Sequence, residues 1–252
     1  MVYFVGAGPG AVDLITVRGA ELLKKADVII YAGSLVNPEL LSYAKKECVI
    51  YNSASMTLEE VINIIEVCYK NNKMVVRLHT GDMSIYGAVR EQSDILKSKN
   101  IPFESVPGVS SFLGAAAALN AEYTLPAVSQ TVILTRMAGR TPVPEKESIR
   151  RLASHNASMV IFLSSSMLGK LAEELTAGGY SKETPCAIVY KATWVDEVKV
   201  VTTIENLEKA GRENNISKTA LVLAGDFLGD IYNRSKLYDG TFSHEFRKGT
   251  NG

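Results

Sequence analysis

Cysteine, net charge and long apolar runs are all scarce in this chain. Cys48, Cys68 and Cys186 lie far apart and lack metal-ligand spacing, so we predict a reducing compartment with no disulfide framework and no bound metal. Lys+Arg and Asp+Glu number 27 each, so no overall field attracts nucleic acid or an anionic membrane. The longest uncharged run, residues 105–121, is too short and too broken to span a bilayer. We therefore expect a cytoplasmic protein without a nucleic-acid or membrane partner.

Short apolar runs alternate with helical patterns along most of the chain, and in its first part this alternation predicts an α/β unit with a mainly parallel sheet. A break at residues 120–131 divides the alternation, so we expect two α/β domains, residues 1–118 and 119–252. Thr57 and Glu60 have the spacing of a capping box, and Thr16 is a further helix cap. The predicted strands cover residues 2–5, 28–31, 74–78, 132–136, 159–163 and 220–224, with a strand pair at 187–190 and 197–202. The predicted helices cover residues 16–26, 38–46, 57–71, 168–177 and 204–214.

The opening "VGAGPG" matches the G-x-G-x-x-G/A pattern of dinucleotide sites through Gly6, Gly8 and Ala11. Its context does not match, because the next helix begins near Thr16 and no acidic residue follows the second strand to hold a ribose. We therefore favour a tight exit from the strand over an NAD site. A different ligand at the carboxyl edge of the sheet remains a further alternative.

The segment "LHTGDMSIYG" follows another predicted strand and carries a second candidate site. Thr80, Gly81 and Asp82 lie where a parallel strand ends, and a glycine there permits close approach of the backbone to a ligand. Asp82 could bind a ligand or cap a helix over the residues that follow, and both interpretations stay open at this stage. We assign no catalytic role to His79.

Taken together, several segments resemble the tetrapyrrole methylase family over about residues 2–230. They are "VGAGPG", "DLITVRGAELLKKADVIIYAGSLV", "LHTGDMSIYG", "VPGVSSFLGAAAAL" and "SQTVILTRMAGRTPVPE". Met83 replaces the usual proline after "GD", a change expected to affect only the rigidity of the loop. Ala11 replaces a common acidic residue, while Asp13 remains.

The resemblance implies a homodimer of two α/β domains that binds S-adenosylmethionine in the cleft between the domains. It also implies methyl transfer to carbon 11 of precorrin-4 or cobalt-precorrin-4, an anionic tetrapyrrole, in cobalamin biosynthesis. The matching cofactor-binding positions are Pro9, Thr80, Gly81, Asp82, Ile85, Ser110, Ser111, Leu163, Ala192 and Ala220. The candidate residues of a substrate trough are Gly10, Asp13, Arg136, Arg140 and Lys191.

No catalytic acid or base is predicted, because a methyl group on a sulfonium is already activated and needs mainly positioning. Core packing is the alternative role for Leu163 and Ala220, and an ordinary solvated charge is the alternative for each basic trough residue. Another tetrapyrrole methylase, acting on uroporphyrinogen III or another precorrin, is the alternative function. An NAD-dependent oxidoreductase and a binding module without turnover are the less expected ones.

Overall fold

The computed structural model describes residues 1–250, which divide into two compact units. The first unit contains Met1–Ala115 together with Lys191–Glu197. The second contains Ala116–Tyr190 together with the described chain from Val198 onward. The boundary therefore lies three residues before the expected one, and a short segment far along the chain belongs to the first unit.

Five parallel strands form the sheet of the first unit, in the order β3-β2-β4-β1-β5. The central strands β1 and β4 are almost entirely buried, which explains their continuous apolar sequence. The strands are β1 (Val2–Gly6), β2 (Val28–Tyr31), β3 (Val49–Asn52), β4 (Val75–His79) and β5 (Phe103–Val106).

The helices of this unit are α1 (Val17–Lys25), α2 (Leu58–Lys70), α3 (Val89–Ser98) and α4 (Ser111–Leu119), the last of which begins here. Both predicted caps are confirmed: the Thr16 side chain accepts from the Gly19 amide, and Thr57 and Glu60 form a capping box. The predicted helix over residues 38–46 is wrong. Those residues form a short 3-10 helix, Pro38–Tyr43, which leads to β3.

The sheet of the second unit is mixed, in the order β6-β7-β10-β8-β9. Strands β6 and β7 are parallel and the other neighbours are antiparallel, including the predicted pair β8 and β9. The strands are β6 (Val132–Arg136), β7 (Ser158–Phe162), β8 (Pro185–Tyr190), β9 (Val198–Thr203) and β10 (Ala220–Ala224). The helices are α5 (Ile149–Ala153), α6 (Leu168–Gly178) and α7 (Leu207–Glu213).

Among residues 1–250, no helix has both the length and the apolar character that crossing a membrane requires. Within the same residues, no group of three or more His, Cys, Asp or Glu side chains is placed to hold a metal ion.

Candidate functional site

Three loops meet at the carboxyl edge of the first sheet, after the adjacent strands β1, β4 and β5. The Ala7 amide donates to the His79 carbonyl at 2.7 Å. Gly8 and Gly81 exchange two backbone hydrogen bonds of 3.2 and 3.0 Å. Ligands of open α/β sheets bind at this edge, so the sheet brings together two of the segments singled out in the sequence.

Glycines allow these loops to touch through their backbones. A Cβ atom on Gly6 would lie 2.6 Å from both the Gly108 Cα and the Gly81 carbonyl oxygen, and a Cβ on Gly108 would overlap that same oxygen. Gly8 and Gly81 have positive φ angles of 82° and 59°, which glycine adopts without steric cost. Any larger residue at Gly6 or Gly108 would force the loops apart.

Three amides of the glycine loop already donate within the protein, so they are not available to cradle a phosphate. Ala7 and Gly8 donate to the β4 loop, Pro9 has no N–H, and the Ala11 amide donates to Thr193 Oγ1 at 3.0 Å. Helix α1 begins only at Val17. The structure thus agrees with the expectation that this loop is a tight exit from the strand.

Asp82 joins the β4 loop to the β5 loop. Its Oδ2 accepts from the Gly108 amide at 2.8 Å, and its Oδ1 accepts from the Ser84 amide at 2.9 Å and the Ser84 hydroxyl at 2.5 Å. Partial burial raises the pKa of Asp82, but these hydrogen bonds outweigh it and lower the pKa overall. The helix-cap interpretation of Asp82 is wrong, because α3 begins at Val89.

Two polar atoms beside this loop are buried and lack a hydrogen-bond partner among the described residues: Thr80 Oγ1 and His79 Nε2. Burial lowers the pKa of His79 to about 3, with the nearby Arg77 cation acting in the same direction. His79 is therefore a neutral imidazole. Because buried polar groups almost always have partners, the Thr80 hydroxyl marks a place where a ligand can supply one.

The remaining predicted residues of the first unit continue the same edge. Ser110 is buried and Ser111 opens α4, with its amide nitrogen 3.2 Å from the position that a Cβ on Gly81 would occupy. The Ile85 amide donates weakly, at 3.4 Å, to the Asp82 carbonyl. Because Gly81 has no Cβ atom, no side chain from that position covers the Ser111 amide.

The segment Lys191–Glu197, which links β8 to β9, packs on the glycine loop. Trp194 Nε1 donates to the Pro9 carbonyl at 3.0 Å, and Ala192 is buried. Sequence reasoning missed Trp194 and Thr193 as partners of this loop. The one local signal is Gly10, where a Cβ would overlap the Trp194 ring.

In the second unit, Leu163 directly follows β7 with a positive φ of 52° and is 64% exposed. A large apolar side chain in this conformation is uncommon, so core packing does not explain it. Ala220 is the first residue of β10 and is buried. Core packing does fit Ala220.

A family model described as Tetrapyrrole (Corrin/Porphyrin) Methylases matches residues 1–208. The chain belongs to this family. A cobalt-precorrin-4 C(11)-methyltransferase of Methanocaldococcus jannaschii is 53% identical over 98% of this chain and 96% of its own. The X-ray structure of a cobalamin biosynthetic enzyme, the cobalt precorrin-4 methyltransferase CbiF, matches with a TM-score of 0.89 and 48% identity, covering 91% of this chain and 96% of that chain.

A more distant structure is a uroporphyrin-III C-methyltransferase from Thermus thermophilus complexed with S-adenyl homocysteine. It matches this tetrapyrrole methylase with a TM-score of 0.74 and 25% identity, covering 90% of this chain and 93% of that chain. The two-domain α/β fold expected from the sequence is thereby confirmed.

The candidate basic residues of this tetrapyrrole methylase differ in how they are held. The Arg136 guanidinium donates to the carbonyls of Met137, Thr141 and Pro142, and so braces the loop that follows β6. Lys191 pairs with Asp196, whereas Arg140 is exposed. Of these cations, Arg140 is the one placed as a solvated side chain.

Two further residues bear on the departures of this chain from the tetrapyrrole methylase pattern. Asp13 is exposed in the short turn Val12–Leu14, just after Ala11. Met83 is buried in the core of the first unit rather than confined to the loop. Its replacement of proline therefore adds core packing as well as changing loop rigidity, which corrects the expectation from the sequence.

Proposed function

We propose that this protein transfers a methyl group from S-adenosylmethionine to carbon 11 of cobalt-precorrin-4, as a step of cobalamin biosynthesis. The observation that carries the proposal is the 53% identity to a relative of that name, which spans nearly the whole of both chains. The likeness to the cobalamin biosynthetic enzyme CbiF, at 48% identity, supports the same acceptor.

One observation in particular supports S-adenosylmethionine as the ligand of these residues. The buried Thr80 hydroxyl has no partner among the described residues and can bond a polar group of the cofactor. Gly81 leaves the nearby Ser111 amide uncovered by a Cβ atom. In the second unit, considered by itself, Leu163 offers an exposed apolar surface of the kind that suits an adenine ring. When bound, the cofactor supplies a methyl group on a sulfonium centre.

The contribution of the protein is then to bind and orient. Asp82 and the glycines hold three loops in fixed register, so the groups that meet the cofactor need not reorganise on binding. The neutral His79 beneath the loop adds no positive charge near a sulfonium. The exposed Arg140 can meet a carboxylate of the macrocycle in an otherwise neutral chain.

Turnover with a panel of acceptors tests the proposal. Purified protein is incubated with S-adenosylmethionine and cobalt-precorrin-4, precorrin-4 or uroporphyrinogen III, and the products are weighed by mass spectrometry. We expect one added methyl group on cobalt-precorrin-4 and much less on uroporphyrinogen III. A preference for precorrin-4 would move the assignment to the metal-free substrate, and methylation of uroporphyrinogen III alone would refute the proposal.

We also propose that the protein works as a homodimer in the cytoplasm. All three cysteines are free thiols, which is typical of a reducing compartment. Ile231, Tyr238 and Phe246 are large apolar side chains that lie exposed in the second unit and could be covered by a second copy. Sedimentation velocity and cell fractionation test the two statements separately.

A further inference from the structure

The segment Lys191–Glu197, here called the clasp, holds the glycine loop on both sides of Gly10. Trp194 Nε1 donates to the carbonyl of Pro9 at 3.0 Å, and Thr193 Oγ1 accepts from the amide of Ala11 at 3.0 Å. These two bonds join positions more than 180 residues apart in the chain. The residues on each side of Gly10 are therefore fixed by side chains that the local sequence does not supply.

Steric fit strengthens the contact. Gly10 packs so closely on the Trp194 ring that a Cβ atom would overlap it, and the Gly10 carbonyl accepts from Asn37 Nδ2 at 2.9 Å. On the other side, a Cβ on Gly114 of α4 would lie 2.8 Å from the Pro9 ring. The glycine loop is thus enclosed between the indole and a helix and has little freedom to move.

The clasp is itself held in an uncommon conformation. Lys191 and Thr193 have positive φ angles of 47° and 70°, and a β-branched residue such as threonine is rarely found there. The Thr193 amide donates to Glu197 Oε2 at 2.6 Å, and the Lys191 ammonium pairs with Asp196 at 2.5 Å and lies 5.1 Å from the centre of the Trp194 ring. Backbone strain of this kind persists where surrounding contacts impose it, and it clusters at functional sites.

We propose that Thr193 and Trp194 are positioning residues for the macrocycle, acting through the glycine loop. The Thr193 bond fixes Ala11, the residue from which the short 3-10 turn Val12–Leu14, with its exposed Asp13, begins. Among the candidate cofactor positions, Pro9 and Ala192 lie in the glycine loop and the clasp, whereas Thr80 and Ser111 lie on other loops. The Thr193 side chain bonds to Ala11, which is not a cofactor position. The inference rests on the proposed function, because it takes this turn to be the part of the loop that faces the macrocycle.

The test compares Thr193→Val, which removes the acceptor for Ala11 at nearly constant size, with Thr193→Ser, which retains it. Trp194→Phe removes the bond to Pro9 but keeps an aromatic ring. Val195→Ala, at a fully exposed residue of the same clasp, is the matched control. The measurements are kcat and KM for cobalt-precorrin-4, the Kd of S-adenosylhomocysteine by calorimetry, and the unfolding midpoint of each variant.

For Thr193→Val and Trp194→Phe we expect kcat/KM for the macrocycle to fall about fivefold or more, as loss of one hydrogen bond predicts. In Thr193→Val the Kd of S-adenosylhomocysteine should change less than about twofold, and Thr193→Ser should restore most of the loss in kcat/KM. Equal losses of kcat/KM in Thr193→Ser and Thr193→Val would overturn the proposal. So would a cofactor Kd that rises in step with the macrocycle KM, or losses that follow the unfolding midpoint.

Because Trp194 is the single tryptophan of the chain, its fluorescence can report binding of the macrocycle without turnover. This measurement separates a test of the inference from a test of the proposed function. Binding of cobalt-precorrin-4 without S-adenosylmethionine should quench the emission of Trp194, and the resulting Kd needs no turnover. A protein that binds the macrocycle but transfers no methyl group would refute the function, while the Thr193 variants still decide the role of the clasp. Unchanged macrocycle binding in Thr193→Val would overturn the proposed role of the clasp and leave the proposed function untouched.

Discussion

Substitution of Asp82 by asparagine is the perturbation that most sharply probes how the loops are held together. The carboxylate accepts three hydrogen bonds, two from Ser84 and one from the Gly108 amide. An asparagine side chain has one oxygen and no charge, so it cannot keep both sets of bonds. A hydrogen bond to a charged group contributes about 1.5–3 kcal/mol to stability, and we expect Asp82→Asn to lower the free energy of unfolding by about that amount.

The same change should weaken cofactor binding, because Gly108 lies two residues before Ser110. If the β5 loop moves, the affinity for S-adenosylhomocysteine should fall by about tenfold or more, which corresponds to at least about 1.4 kcal/mol. Urea unfolding and isothermal calorimetry measure the two effects. Ser84→Ala is the control, since it removes one donor and leaves the Gly108 bond intact, and its effect should stay below about 1 kcal/mol.

The pH dependence gives an independent check. Hydrogen bonds hold the pKa of Asp82 below its ordinary value of 3.8 despite its partial burial. The contribution of its carboxylate to the stability of the fold is therefore present above pH 3.8 and is lost as the pH falls through the folded pKa. The free energies of unfolding of the wild type and of Asp82→Asn should therefore differ at pH 7 and become similar in acid. An Asp82→Asn protein with wild-type stability and wild-type affinity at pH 7 would refute the reasoning.

Three further variants address separate features of the site. Gly108→Ala should destabilise the first unit by more than about 1 kcal/mol, because the new methyl group overlaps the Gly81 carbonyl oxygen; a neutral effect in urea unfolding would show that the loops are not in contact. His79→Gln should flatten the pH dependence of stability between pH 6.5 and about 3, since the buried imidazole takes up a proton only on unfolding and stability is lost as the pH falls. An unchanged slope would mean that His79 is solvated. Leu163→Ala should weaken S-adenosylhomocysteine binding with little loss of stability. The control is Val201→Ala, at a side chain that is also 64% exposed, and it should change neither binding nor stability. If calorimetry gives the same affinity for both variants, Leu163 has no ligand role.

The sequence predicts those parts of this fold that depend on neighbouring residues. The capping box of Thr57 and Glu60 and the cap at Thr16 lie within single turns, and buried strands such as β4 carry continuous apolar runs. Strand β3 was not predicted, although residues 48–51 form a short apolar run, and it lies largely exposed at the edge of the sheet. The segment at residues 38–46 has helical spacing but forms a 3-10 helix.

The candidate site was only partly predictable for a related reason. The "TGD" segment follows a predicted strand, which suggested a site at the carboxyl edge of the sheet, whereas Ser110 and Ser111 of "PGVSS" were given by the family resemblance. The partner of Asp82, however, is an amide 26 residues away, and the partner of Pro9 is Trp194, 185 residues away. Such contacts depend on the order of strands and on the path of a distant loop. Neither is encoded in a local pattern.

The position of the transferred methyl group tests the central claim most directly. Cobalt-precorrin-4 is incubated with the protein and S-adenosylmethionine labelled with ¹³C at the methyl carbon, and the product is examined by NMR. The account predicts a single labelled methyl group bonded to carbon 11. A label at any other ring carbon, or no label at all under conditions in which the cofactor binds, would contradict it.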